Sequence, residues 1–88
     1  MKYKWDPKKA RQNYQKHGVH FSELEPVFED ERALLIDEVV YGGERRILIG
    51  MDGLARVLIV VYILHENDIW IISARKAAQK ERKLYGIC

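Results

Sequence analysis

The order of patterns in this 88-residue chain predicts one α+β domain spanning residues 1–88. It is expected to hold an antiparallel sheet of three to four strands, two N-terminal helices and one C-terminal helix. Three observations carry that prediction. A helical stretch near the N-terminus is bracketed by Asp6-Pro7 and Gly18. Two β-rich runs, Arg45 to Met51 and Ala55 to Leu64, flank Asp52-Gly53, a strong hairpin signal. A third β-rich run, Ile69 to Ser73, changes into a basic helical period that ends at Tyr85.

Taken in order, Tyr3 to Trp5 reads as a short strand. Asp6 can then cap a helix, and Pro7 suits its first position, where no N–H is needed. The helix should run to Lys16 or His17 and stop at Gly18. Its inner face reads as Ala10, Tyr14 and His17, with Asn13 at the edge. Ser22 and Glu25 match a capping box, with Phe21 as hydrophobic staple, which predicts a second helix with Leu24, Val27 and Phe28 inside. Pro26 would fall at its fourth position and removes a backbone bond, so this helix should be short or irregular. Ala33 to Ile36 and Val39 to Tyr41 read as one irregular strand or two short ones, and Gly42-Gly43 as a turn. Glu66-Asn67-Asp68 is a polar turn into the last strand. Strands joined by tight turns predict an antiparallel meander, with the helices over one face.

At the C-terminal end, Ser73 is a plausible cap for a helix from Ala74 to Tyr85. Ala74, Ala77, Ala78, Leu84 and Tyr85 would form its apolar face, Arg75, Gln79 and Arg82 a second face, and Lys76, Lys80 and Lys83 a third. Glu81 falls within the apolar stripe. An unpaired carboxylate there is costly, so it is expected to pair with a sheet arginine such as Arg46. Two planar arginines on one face are what a phosphate-binding surface needs. A charged outer face is also the ordinary property of a surface helix.

The net charge is +2, but its distribution is uneven. Residues 1–20 hold six Lys/Arg against one Asp, residues 21–44 eight Asp/Glu against one Arg, and residues 75–83 five Lys/Arg against one Glu. Two basic ends around an acidic middle would let one face meet RNA and another meet a protein partner. The longest apolar run, Val57 to Leu64, is too short to span a bilayer. No export signal is recognisable, and the single cysteine, Cys88, cannot form an internal disulfide; both lead to the expectation of a cytoplasmic protein.

The three histidines, His17, His20 and His65, lack metal-motif spacing, and the chain holds no P-loop, dinucleotide fingerprint or nucleophile elbow. No metal or other cofactor is expected. What remains is arginine, lysine, histidine, tyrosine and glutamate on a small sheet. That set suffices for metal-free RNA cleavage, in which the 2′-OH attacks the adjacent phosphate with help from a base, an acid and cations. His17 could serve as acid or base. Arg75, Arg82 and Arg46 could hold the phosphate, and Tyr62 or Tyr85 could stack a base or shuttle a proton. Each has a structural alternative: His17 as a core or capping histidine, Tyr62 and Tyr85 as packing, Arg46 as the partner of Glu81. Arg75 stands first, because it lies at the junction of strand and helix, where function gathers.

Four stretches together carry a family resemblance: WDPKKARQNYQKHGVHF at 5–21, PVFEDERAL at 26–34, GERRILIG at 43–50 and ISARKAAQKERKLY at 72–85. The chain resembles the BrnT family of ribonuclease toxins, of the BrnT/BrnA type II toxin–antitoxin systems. The resemblance implies a RelE-like fold and RNA cleavage that halts translation. It implies a BrnA-like ribbon-helix-helix antitoxin as partner, operator DNA contacted only through that antitoxin, and a heterotetramer of two toxins on an antitoxin dimer. It carries over Trp5, Asp6, Gly18 and Ser73 as structural residues, together with Tyr85. Lys16, His17, Arg46, Arg75, Lys76, Glu81 and Arg82 come over as candidates for the RNA site. The resemblance gives the reaction class and does not rank these residues; the roles expected of them are Arg75 and Arg82 on phosphate, His17 or Glu81 as proton carrier, and Lys16 as electrostatic support. Pro26 departs from the family pattern. Two rivals remain at this level: a degenerate toxin that only binds its antitoxin to tune transcription, and an RNA-binding domain without catalysis.

Overall fold

The computed structural model describes residues 2–37 and 45–86. The expected segment Val39 to Tyr41, the Gly42-Gly43 turn and Cys88 lie outside them. The elements are β1 (Tyr3–Lys4), α1 (Pro7–His17), a 3-10 turn (Phe21–Glu23), α2 (Glu25–Glu29), β2 (Leu34–Asp37), β3 (Arg45–Met51), β4 (Val57–His65), β5 (Asp68–Lys76) and α3 (Gln79–Tyr85).

The sheet has five strands in the order β1-β5-β4-β3-β2, one more than the upper expectation. The β3-β4-β5 meander is antiparallel as expected, and β2 adds to it in the same sense. The fifth strand, β1, pairs in parallel with β5, which makes the sheet mixed. Its two residues join residues more than sixty positions away, a pairing that no local pattern announces. Ile69 N–H donates to the Lys2 carbonyl at 2.8 Å, Lys2 N–H donates to Asp68 Oδ1 at 3.1 Å, and Lys4 Nζ meets Asp68 Oδ2 at 2.9 Å.

Alternation along the strands divides the core in two, and the helices cover both faces rather than one. Leu48, Leu58, Val60, Tyr62, Ile69, Ile71 and Ala74 pack with Val19, Phe21, Leu24 and Val27 beneath α1 and α2. Ile49, Val57 and Ile59 face the other way and pack with Ile47, Met51, Ala77 and Tyr85 on the α3 side. Gly50 points towards the first face, where an added Cβ would lie 3.0 Å from Val27 Cγ1 and 3.1 Å from the Val27 carbonyl oxygen. The absence of a side chain lets α2 lie close to β3.

Helix α1 starts and stops as expected. Asp6 Oδ1 accepts from Lys8 N–H at 2.9 Å, and Gly18 takes φ 70°. Its inner face is different: Asn13 is buried, whereas Tyr14 is 47% exposed and stacks on His20 with centroids 3.8 Å apart. Asn13 turns inward because three backbone groups await it. Its amide donates to the Val19 carbonyl at 3.0 Å and to the Ala74 carbonyl at 2.8 Å, and its Oδ1 accepts from Ala74 N–H at 3.0 Å.

The capping box at Ser22 does not form. Residues 21–23 are a 3-10 turn, and α2 begins only at Glu25, with Pro26 in its first turn, where the missing N–H leaves no bond unmade. The β3–β4 connection is wider than a two-residue hairpin and β4 starts at Val57, not Ala55. Asp52 accounts for this: its Oδ1 accepts from Leu54 N–H at 3.0 Å and Arg56 N–H at 2.8 Å, building a five-residue loop around one buried carboxylate. Glu66 and Asn67 make the β4–β5 turn with φ of 51° and 68°, the left-handed pair that a tight hairpin requires.

The largest revision lies at the C-terminal end. Strand β5 continues through Ser73 and Arg75 to Lys76, and α3 begins only at Gln79. Ser73 is thus a strand residue opposite Val61, beside a bulge between Val61 and Tyr62, and not a cap. Pairing with β4 and the bonds from Asn13 to Ala74 outweigh the helical period of the alanines.

Candidate active site

The end of β5 carries Arg75 and Lys76 to one end of the sheet, where the β3–β4 loop and the first turn of α3 also arrive. Arg75 lies opposite Ile59 and so faces the α3 side. Its guanidinium meets Glu81 in a bidentate pair, Nη1 to Oε1 at 2.8 Å and Nη2 to Oε2 at 2.7 Å. Nη1 also reaches the Lys76 carbonyl at 3.3 Å. Glu81 Oε1 accepts from Ala78 N–H at 2.8 Å, the reciprocal half of a capping box; Ala78 has no side-chain oxygen for the other half. The glutamate therefore pairs with Arg75 and not with Arg46. It ties the strand end to the helix start.

The pair sets the charge state of both groups. Hydrogen bonding from Arg75 holds Glu81 below the ordinary glutamate range against a smaller effect of burial, and Arg75 is raised chiefly by the same bonds. Glu81 is ionised at neutral pH. It can accept a proton but has none to give.

Beside this pair lies a pocket of about 310 Å³ lined by Ala55, Arg56, Val57, Lys76, Ala77 and Arg82. Arg56 is oriented by Asp52, with Nε to Oδ2 at 2.9 Å and Nη2 to Oδ2 at 2.7 Å, and its Nη1 reaches the Gly18 carbonyl at 3.3 Å. The C-terminal end of α1 thus comes to the same end of the sheet. The Lys76 and Arg82 side chains make no hydrogen bond or ion pair with another described residue.

Helix α3 buries no residue fully and is held at both ends. Ala77 N–H donates to the Val57 carbonyl at 2.9 Å before its first turn, and in its last turn the Tyr85 hydroxyl donates to the Asp30 carboxylate. Asp30 Oδ2 also accepts from Met51 N–H at 2.8 Å. Burial, and then the Asp30 bond, raise the Tyr85 hydroxyl above its usual 10.0. Burial opposes ionisation of Asp30, but the bonds from Tyr85, Met51 and Arg32 outweigh it and lower its pKa; at Asp52 burial is likewise outweighed by Arg56 and Leu54.

These shifts predict the acid limb of stability. Asp30, Asp52 and Glu81 titrate lower in the folded chain than in the unfolded one, so the unfolded state binds more protons in acid. Their contribution is complete above the unfolded values of 3.8 and 4.5 and is lost as pH falls through the lower folded values. A urea midpoint that is flat from about pH 7 to pH 5 and falls steadily below about pH 4 is the expected result. A midpoint that rose on acidification would contradict it.

Arg75, Lys76, Glu81 and Arg82 are brought together. The other candidates lie elsewhere. Arg46 pairs in register with Tyr62, three residues along β4 from the partner of Arg75, roughly 10 Å, and on the opposite face. Tyr62 is buried and packs edge-on against Phe28. Lys16 is exposed, and half-buried His17 ends α1, on the face away from α3. Arg56 is the residue that sequence reasoning missed. It sits behind a hairpin signal, and nothing in the local pattern shows that Asp52 turns it into the pocket. Among the described residues no three His, Cys, Asp or Glu side chains come together as a metal-binding group. No described helix is long and apolar enough to cross a membrane.

A five-stranded mixed sheet with helices on both faces and cations gathered at one end defines a small α+β protein suited to an anionic ligand. A sequence model of the ribonuclease toxin BrnT, of type II toxin–antitoxin systems, matches residues 5–81. This chain belongs to that family, and is a toxin of a type II toxin–antitoxin system. The crystal structure of the ribonuclease toxin BrnT from Brucella abortus superposes with a TM-score of 0.72 at 26% identity, over 90% of this chain and 99% of that one. No curated protein matches the sequence.

Proposed function

We propose that this toxin is a metal-independent endoribonuclease that inhibits translation by cleaving RNA through 2′-OH transesterification. The observation that carries the reading is the convergence of Arg75, Lys76 and Arg82 with the ionised Glu81 at one end of the sheet. In such a reaction a base takes the 2′-proton and the 2′-oxygen attacks phosphorus. The 5′-oxygen then leaves with a proton, giving a 2′,3′-cyclic phosphate. Guanidinium groups stabilise the charge that builds on the phosphorane. Glu81 suits the proton-accepting step, because it is held ionised. The leaving oxygen takes its proton from His17 or from water. Lys16 adds positive potential at the end of α1, and Arg46 is assigned to a more distant RNA contact, whereas Tyr62, buried against Phe28, serves packing.

The partner in this reading is a BrnA-like ribbon-helix-helix antitoxin. Two toxins join one antitoxin dimer, and operator DNA is met through the antitoxin. The complex acts in the cytoplasm. Incubating the purified toxin with total RNA in EDTA tests the catalytic claim. Cleavage with 2′,3′-cyclic phosphate ends is expected. RNA left intact both alone and with translating ribosomes would reduce the protein to an antitoxin-binding module.

A further inference from the structure

We infer that the pocket between the β3–β4 loop, the end of β5 and the start of α3 is a phosphodiester-binding site, with Arg56 as an RNA-binding residue alongside Lys76 and Arg82. The inference deepens the ribonuclease reading and rests on it for the identity of the strand.

Three observations combine. The charge of Arg75 is largely balanced by the bidentate Glu81 carboxylate, and that of Arg56 by Asp52, so neither compensates a phosphate by itself. Lys76 and Arg82 carry charges that no other described residue balances, and they line one pocket of about 310 Å³. Unpaired cations facing one cavity repel each other, and an anion between them relieves that repulsion. Arg56 is the third wall. Its Nε, one Nη1 and one Nη2 hydrogen are taken by Asp52 and Gly18, which leaves two of its five N–H donors and fixes the plane in which they point. A guanidinium locked in this way binds an oxyanion without first losing side-chain freedom. Ala55, Val57 and Ala77 complete the lining with small or apolar side chains, so no carboxylate enters the pocket. Asp52 touches the other side of Arg56 and serves as a positioning residue.

The site takes one phosphodiester of a single strand. The test is fluorescence anisotropy with a labelled single-stranded deoxyoligonucleotide over a series of KCl concentrations. That strand carries the same phosphates but lacks the 2′-OH, so binding is read without cleavage. For a Lys76→Gln/Arg82→Gln variant the slope of log K against log salt should become shallower by about 0.7, the value for one single-strand phosphate. Affinity at low salt should fall on the order of tenfold. A Lys8→Gln/Lys9→Gln variant, which removes two cations from the outer face of α1, should keep the wild-type slope. Arg56→Ala should also flatten the slope, and its melting curve shows whether the loop survives. Neither Lys76 nor Arg82 has a side-chain partner to lose, so the double variant should fold. An unchanged slope in that variant, or an equal change in the α1 variant, would overturn the inference. Should such a variant still cleave RNA at the wild-type rate, the ribonuclease reading would stand without the pocket. Should the wild type bind as expected yet cleave nothing, the pocket would stand without the reading.

Discussion

Replacing Asn13 with alanine is expected to lower the unfolding free energy by about 3 kcal/mol, an effect as large as that of truncating a core side chain. The reason lies in the edge of β5. Beyond its short pairing with β1 at Ile69 and Trp70, this edge has no neighbouring strand among the described residues. The side-chain amide of Asn13 supplies what a strand would, taking both the N–H and the C=O of the fully buried Ala74. Its remaining donor satisfies Val19, in the short loop that leaves α1. Alanine would strand three backbone groups in the interior, and Leu in the same space would strand the same three. Aspartate restores one acceptor but brings an unpaired charge, and should do no better. Chemical denaturation checks this: a variant within about 0.5 kcal/mol of wild type would mean that water reaches Ala74 freely.

Arg75→Ala is expected to lower RNA cleavage by about a hundredfold or more while costing the fold about 1 kcal/mol or less. The two numbers differ because the arginine has two tasks. Its pair with Glu81 is part-exposed, so water replaces much of the lost interaction. Its contribution to the reaction depends on position: it fixes the first turn of α3, which carries Arg82, and keeps N–H donors that Glu81 and Lys76 do not use. Arg75→Lys preserves the charge but not the fork, and should recover less than about a tenth of the activity. Glu81→Gln separates the tasks. If Arg75 acts only by holding Glu81, the double variant should cleave no worse than either single one. Unchanged cleavage by a folded Arg75→Ala protein would remove the residue from the mechanism.

What was legible in the sequence was whatever depends on neighbours in the chain. Asp6-Pro7 and Gly18 bound α1 because capping is a local bond. Arg45 to Met51 forms β3 with the expected limits, since alternation and a turn signal lie in the same stretch. Residues that answer to distant partners were misread. Asn13 looked like an edge residue because Ala74, its partner, is sixty-one positions away. Ser73 looked like a cap because the alanines and lysines after it do have a helical period. Their backbone bonds to β4 and Asn13 decide otherwise. The candidate site was half visible. Arg75, Lys76, Glu81 and Arg82 are close in sequence and stay close in space, whereas Arg56 arrives from another hairpin.

Strand β1 has a temporal meaning as well. It is synthesised more than sixty residues before its partner in β5. The same holds for α1, whose buried anchor waits for Ala74. The meander of β3, β4 and β5 can assemble from local contacts, which close quickly. Strand β1 and α1 must remain unattached until β5 has been made. Docking of both ends is therefore a late event in maturation. A nascent chain that stops short of β5 and α3 lacks the completed sheet and the basic end together, so the fold itself delays the appearance of a finished toxin until both have been made.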